Sequence, residues 1–520
     1  MEFYKLALCL LLCSQQLWAA SYWSHIPEVG SVQLTELTTA QHQAVALHLQ
    51  LSTEQTTEWL NNLPALLDSL SCATIDSQSQ PVPGFKDASY KLVSYAGVLK
   101  LFTDAKAENT LWWLPWSLLP VLSQLQQQLA EMDTQLHQPL LITEQQLGTE
   151  DQLIIVSGSS VSPAVYFALR LDEQQRIELL WSLDATVAGF ADLAGSAAQP
   201  LLMLEPREQP VLPALSVLLA NTAQAATKTL LYKIDMMTGR LQSRLAATQD
   251  IAGLSGALVL YDHDRDTVSD SLLFSTKSGQ LWQVQLEEQQ FHTMQTVADL
   301  SMLNLSDVQF IRTLYAAVPV GGSGSDFHSR RSQWLVVLAA LRQQNTVLVV
   351  LKPSSDMTSS PPDLVDRTLP GSPELALLTP QDWQHIQQKH GWFSQLNGRL
   401  TQPPLVAAGV VYLNLLKQNP EQLCSAEQSS SALTALHLHH GSAVYRQPSL
   451  PLVQAAGSLK VKANEQGGFS LIDPHSQQVL IEQMLEISPD CTHCSKAIRQ
   501  DSFPRWQLMG TYHNEEGVYE

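Results

Sequence analysis

Nine consecutive residues, Asp262-His263-Asp264-Arg265-Asp266-Thr267-Val268-Ser269-Asp270, place four carboxylates at loop positions 1, 3, 5 and 9, with the carbonyl of Val268 at position 7. That is the oxygen spacing that wraps a Ca²⁺ ion, which takes about 6–8 ligands at roughly 2.3–2.6 Å. Four acids so close together repel one another unless a cation sits among them. Thr267 stands where an EF-hand loop needs Gly, and Leu273 stands where it needs a bidentate Glu. The segment is therefore an Asp-rich loop between two strands, Ala257 to Tyr261 before it and Leu272 to Ser275 after it, and not an EF-hand. The spacing predicts Ca²⁺ on Asp262, Asp264, Asp266, Val268 (through its carbonyl) and Asp270; the alternative is a solvated acidic turn.

The remaining reactive side chains carry less. Cys491-Thr492-His493-Cys494 has the spacing of a redox pair or half a zinc site, but no βαβ setting and no second Cys pair accompany it. A structural disulfide is the expectation for an exported chain. Cys72, Cys424, Cys491 and Cys494 allow three connectivities, of which Cys491 with Cys494 and Cys72 with Cys424 is favoured. His437, His439 and His440 fall on one predicted strand, with residues 437 and 439 on a shared face; two imidazoles so spaced could ligate a metal, but no acidic partner is placed and a solvent-facing strand is the expectation. Gly321-Gly322-Ser323-Gly324-Ser325 lacks the Lys-Ser/Thr of a phosphate cradle. No Gly-x-Ser-x-Gly or His-Glu-x-x-His pattern occurs, so no catalytic residue is assigned and the chain is read as non-enzymatic.

The frame that must hold these residues is written as a repeat. From Tyr90 onward, short runs of β-branched, aromatic and Leu residues alternate with Gly, Asp, Asn and Gln turns. Six segments share one grammar of strand, polar turn and strand: 97–115, 164–183, 229–241, 271–286, 432–445 and 467–481. A seventh, WLVVLAALRQQNTVLVVL, lies at 334–351. A hairpin cannot bury both faces alone, and radial stacking of such units makes a β-propeller. The predicted fold is all-β, a propeller of about seven irregular blades with insertions. Trp112, Trp181 and Trp282, at strand ends, are expected in its core. Leu118, Leu122, Leu125, Leu129 and Met132 recur at three- and four-residue steps and predict one amphipathic helix over 118–136. Helical spacing also marks Gln43 to Leu70.

The 520 residues are 45% apolar and 15% charged, with 29 Lys+Arg against 49 Asp+Glu, a net charge of −20. That suits a large core and supplies no basic stripe for nucleic acid, which is set aside. Lys5, the apolar run Leu6 to Cys13, and Ala19 and Ala20 read as a secretory signal. Its removal takes away Lys5 and Glu2 together, so the charge stays at −20. No later run reaches the roughly 18 apolar residues of a membrane span. The expected organisation is a signal over 1–20, a lead-in over 21–89, a propeller over 90–446, and a segment over 447–520 that completes or caps it.

Four blocks in order resemble the C-terminal β-propeller of the PilY/PilC family, tip-associated biogenesis factors and adhesins of bacterial type IV pili. SYAGVLKLFTDAKAENTLWWLPWSLLPVL resembles its opening blade, and TLLYKIDMMTGRL resembles its strand–Asp–Thr–Gly turn. GLSGALVLYDHDRDTVSDSLLFSTKSGQLWQVQL, over 253–286, resembles its calcium loop and the Gly-x-Leu-Trp strand that follows. HGWFSQLNGRLTQPPLVAAGVVYLNLLKQNPEQLC, over 390–424, resembles its Gly-Trp-aromatic strand, Pro-Leu-Val step and Cys. Tyr95 and Ala96, and Ser275 and Thr276, stand where the family usually has glycines. With about 70 residues ahead of the first block, the family's von Willebrand A-like module is expected to be missing.

The resemblance implies an exported Ca²⁺-binding propeller that acts in type IV pilus assembly, in the periplasm, at the outer membrane or at the pilus tip. Its implied partners are minor pilins and the pilus machinery, with a host or abiotic surface as a further one. Two other classes share the strand grammar. A quinoprotein dehydrogenase requires a regular Gly-Trp ending that most of these repeats lack, and an outer-membrane assembly scaffold predicts porin defects in place of pilus defects.

Overall fold

The computed structural model describes residues 21–482 and 512–513, apart from 27–29, 73–79, 82–89, 96, 104–105, 123–139, 148–149, 160–163, 172–176, 206–213, 223–228, 248–250, 252, 264–267, 278, 318–331, 344, 355–356, 358–360, 369–379, 401, 418–429, 445–448, 453–458, 464–468 and 474–477. The signal over 1–20, the glycine-rich segment 321–325 and Cys424, Cys491 and Cys494 lie outside the described residues, while Cys72 closes a helix.

Among the described residues strands dominate, in seven separate sheets. Each of the seven predicted hairpins falls in a different sheet, so the all-β, blade-by-blade reading holds. The first sheet orders Gly30–Gln33, Ser21–Ile26, Lys106–Leu114, Val98–Thr103, Tyr90–Tyr95 and Gln80–Pro81. The second is the antiparallel meander Leu140–Leu147, Glu150–Gly158, Tyr166–Leu171 and Ile177–Leu183. The third is Leu201–Glu205, Ala214–Ala220, Thr229–Asp235 and Leu241–Ala246; the fourth is Leu254–Tyr261, Ser271–Thr276, Gln280–Glu287 and Gln290–Asp299. The fifth carries Asp307–Ala317, Ser332–Arg342, Asn345–Leu351, Gly391–Leu396 and, in parallel, Leu364–Asp366, with Tyr512–His513 beside the first of these. The sixth is built on Val410–Lys417, Ser430–His437 and Ser449–Leu452, and the seventh on Lys460–Ala463, Phe469–Asp473 and Gln478–Ile481.

By internal contacts the chain forms two compact units. One comprises 1–132, 138–200 and 235–240, and the other 133–137, 201–234 and 241–520. In the first, the helical spacing of the lead-in becomes two helices, α1 (Thr39–Leu49) and α2 (Thr53–Cys72). Each starts on a capping box. Thr38 exchanges hydrogen bonds with Gln41, and Ser52 does so with Gln55, which satisfies amide groups that a helix start otherwise leaves open. Gln50, left-handed at φ 56°, separates them. Val45, Leu63 and Leu67 pack with Val93, Tyr95, Trp112 and Leu114 of the first sheet, and Ser21–Ile26 adds to that sheet in parallel. The lead-in thus shares the core of the first blade.

Two local details add to the sequence reading. Trp116–Val121, with Pro120 inside it, is a 3₁₀ helix, and Leu122, within the predicted 118–136 helix, is α-helical; residues 123–136 lie outside the description. In the 432–445 hairpin the described part of the second limb pairs at Leu436↔Ala443, with the Val444 amide donating to the Ala435 carbonyl at 3.1 Å, and Ser430–His437 also pairs with Ser449–Leu452. Trp112, Trp181 and Trp282 are buried as expected. Among the described residues no helix is long and apolar enough to cross a membrane.

Candidate functional site

The Asp-rich loop joins Leu254–Tyr261 to Ser271–Thr276, whose register ends on the pair Tyr261↔Ser271. Asp262 and Asp270 are therefore the first and last residues of the connection, face to face at its neck. The amide of Asp270 donates to the Tyr261 carbonyl at 2.9 Å, and the amide of His263 donates to Asp270 Oδ2 at 2.5 Å. Asp262, Val268 and Asp270 are half-buried, while Asp264 and Asp266 lie outside the description. Three of the five predicted ligand positions are thus placed, of which Asp262 and Asp270 flank the loop neck. Among the described residues no group of three or more His, Cys, Asp or Glu side chains has metal-site geometry. The donor set is all oxygen, which suits a hard cation such as Ca²⁺ and not a soft one. Of these carboxylates the structure places Asp262 and Asp270, and Asp270 Oδ2 accepts from the His263 amide inside the loop.

What steadies the loop was not legible from its own sequence. Tyr261 stacks on Trp334 at 5.4 Å, and Tyr315 Oη lies 3.2 Å from His263 Nδ1. On the other side, the turn after Gln280–Glu287 folds Gln289 inward, 7% exposed. Its Nε2 donates to the Ser269 carbonyl at 3.3 Å, and its own carbonyl accepts from Lys233 Nζ at 2.8 Å. Glu288 and Gln289 both take positive φ, 48° and 60°, where glycine is the usual choice, so local strain is held by these contacts. Lys233 is 2% exposed, and a cavity of about 390 Å³ opens between it, Asp270 and Gln289. A lysine amid a β-rich run reads as a solvated side chain; only the tertiary structure places it beside the loop.

The histidine cluster corrects an expectation. Only His437 belongs to the strand; the chain then turns through 438–441, so the three residues do not line a solvent-facing strand. His439 is buried, His437 and His440 are half-buried, and the last two stack at 3.8 Å with planes 12° apart. The amide of His439 donates to His437 Nδ1 at 3.2 Å and that of Ser442 to His440 Nδ1 at 3.4 Å. A nitrogen that accepts carries no proton, so each neutral ring holds its hydrogen on Nε2. Burial pushes His437 down to about 4. Burial, then His437, Arg367 and His439, push His440 down to about 3. Trp383 of α3 (Pro380–Gln388) meets His439 and His440 edge-on, and Arg367 Nη2 donates to Ser442 Oγ at 2.8 Å.

No protein-family model and no curated protein matches the chain. Among solved structures it is similar to the C-terminal domain of Pseudomonas aeruginosa PilY1, at 15% identity over 76% of this chain and 92% of that one, with a TM-score of 0.48. It is also similar to the WD40 domain of Neurospora crassa Pan2, at 10% identity over 66% of this chain and 80% of that one, with a TM-score of 0.31. A computationally designed protein, Ika8, shows 9% identity over 66% of this chain and 87% of that one, with a TM-score of 0.27. Likeness at this level carries no functional argument, and the all-β architecture rests on the strand pairing itself.

Proposed function

We propose that this chain is an exported, non-enzymatic, calcium-binding β-propeller protein that acts in type IV pilus biogenesis. Its partners on this reading are minor pilins and the pilus machinery, and the tip-exposed form contacts a host or abiotic surface. The observation that carries it is the loop neck, where Asp262 and Asp270 close the connection 262–270 within the four-block order that resembles the PilY/PilC propeller. A bound Ca²⁺ would neutralise the carboxylates and stiffen the loop. The chain's own part is to aim Asp270 inward through His263 and to anchor Ser269 through Gln289 and Lys233. Because binding favours only the folded loop, occupancy stabilises the protein by mass action, roughly RT ln(1 + [L]/Kd).

Calorimetric titration of the mature protein with CaCl₂ tests the site. We expect saturable binding of about one ion per chain, lost in an Asp262→Ala, Asp270→Ala double variant. Absence of binding in the parent protein sinks the calcium assignment. Pilus counts on cells that lack the gene test the assembly role separately, and wild-type piliation there removes it.

A further inference from the structure

The fifth and sixth sheets bring one arginine beside a group of neutral histidines for which the pilus reading has no use. Arg367 is fixed at both backbone ends: its amide donates to the Phe393 carbonyl at 2.7 Å, and its carbonyl accepts from Ser394 Oγ at 3.1 Å. Among the described residues its guanidinium makes one hydrogen bond, to Ser442 Oγ, and its buried Nε has no partner. No carboxylate among the described residues pairs with it, although the chain carries a net charge of −20. Ser442 in turn donates its amide to His440, so Arg367, Ser442 and His440 are joined in sequence. His437 stacks on His440, and Trp383 closes the same group from α3. The charged groups that act on His440 are His437, Arg367 and His439, every one a cation when ionised.

A buried guanidinium Nε with no partner among the described residues is costly unless an acceptor completes it. Ser442 links the two sets of donors, accepting from Arg367 through Oγ and donating its amide to His440. Each stacked ring has Nδ1 occupied by a backbone amide, which leaves Nε2–H as a donor even at neutral pH. Arg367 adds the unused part of a planar fork, the geometry that recognises carboxylate and phosphate oxygens. We propose that Arg367, His437 and His440 form a binding site for a small oxyanion, a carboxylate or phosphate group, walled by Trp383. The site is separate from the Asp-rich loop and does not rest on the calcium assignment.

The test is calorimetric titration of the purified full chain at pH 7 with sodium phosphate and, separately, with sodium citrate, each against sodium chloride at matched ionic strength. We expect saturable binding of at least one of the two. Phosphate alone, citrate alone or both would identify the oxyanion accepted. In Arg367→Gln the affinity should fall by about tenfold or more, and Arg367→Lys, which keeps the charge but not the fork, should lie between it and wild type. Circular dichroism confirms that both variants are folded. Heats equal to the chloride control for both salts, or folded Arg367→Gln and Arg367→Lys variants that bind as tightly as wild type, overturn the proposal.

Discussion

The turn 235–240 in one unit and the turn 437–442 in the other share a backbone plan but differ in the residue that caps them. In both, the first residue's amide bonds to the carbonyl five residues on, at 2.9 Å for Asp235 to Arg240 and 2.8 Å for His437 to Ser442. In both, a glycine four residues on donates back to the first carbonyl, Gly239 at 2.9 Å and Gly441 at 2.8 Å. A tryptophan covers each glycine and donates Nε1–H to the second carbonyl of the turn, Trp181 to Met236 at 2.7 Å and Trp392 to Leu438 at 2.8 Å. The side-chain cap is where they part. Asp235 Oδ1 accepts from the amides of Met237 and Thr238 and from the Thr238 hydroxyl, whereas His437 Nδ1 accepts from His439 alone. The lesson is that the tryptophan and glycine set the turn, and the cap position is open to a side chain with a different response to acid.

The largest effect should come from what the two turns share. A Cβ on Gly239 would lie 2.6 Å from Trp181 Cγ, and one on Gly441 would lie 2.6 Å from Trp392 Cε3. Both glycines also have left-handed φ, 67° and 68°. Gly239→Ala and Gly441→Ala should each cost about 4 kcal/mol in urea unfolding, the sum of the left-handed penalty and overpacking. A loss below about 1 kcal/mol in either would break the equivalence.

The next effect should separate the turns. An unfolded histidine takes up a proton below about pH 6.5, while folded His437 stays neutral until about 4 and His440 until about 3. The depressed folded values mean that this stability is complete above pH 6.5 and drains away as the pH falls towards 4. Each ring should cost about 2 kcal/mol between pH 6.5 and 5. His437→Asp, which copies the other turn, should recover about 2 kcal/mol of that acid loss. Urea unfolding at pH 7 and pH 5 measures it, and an unchanged acid loss would show that His437 is not its source.

The smallest effect sharpens the Asp cap. Asp235→Ala removes the acceptor of three bonds on an exposed turn and should cost about 1 kcal/mol, whereas Asp235→Asn keeps an oxygen there and should cost a few tenths. Thermal unfolding of the pair reads the difference, and equal losses would mean that the carboxylate charge, not the acceptor, holds the turn.

Much of this was legible before any coordinates. The hairpin repeat carried the blade count because period-2 patterning and turn residues are local signals, and each of the seven hairpins settled into its own sheet. The loop neck was legible too, since Asp262 and Asp270 must face one another once Tyr261 pairs with Ser271. The apolar steps of 118–136 did not show that the stretch Trp116–Val121 winds as a 3₁₀ helix. The histidines misled because alternation on a strand says nothing about where the strand ends.

By itself the sequence determined the class of fold, the strand–turn–strand units and the oxygen-rich loop, all of which follow from the order of neighbours along the chain. Tertiary structure alone decided that Lys233 lies buried beside Gln289, that Arg367 meets His440 through Ser442, and that Trp181 and Trp392 each cover a glycine. The partners in those contacts come from different strands and turns, as far apart as 75 residues. Burial and desolvation, which set the cost of an unpaired cation and the protonation of a histidine, exist only once those distant segments have packed.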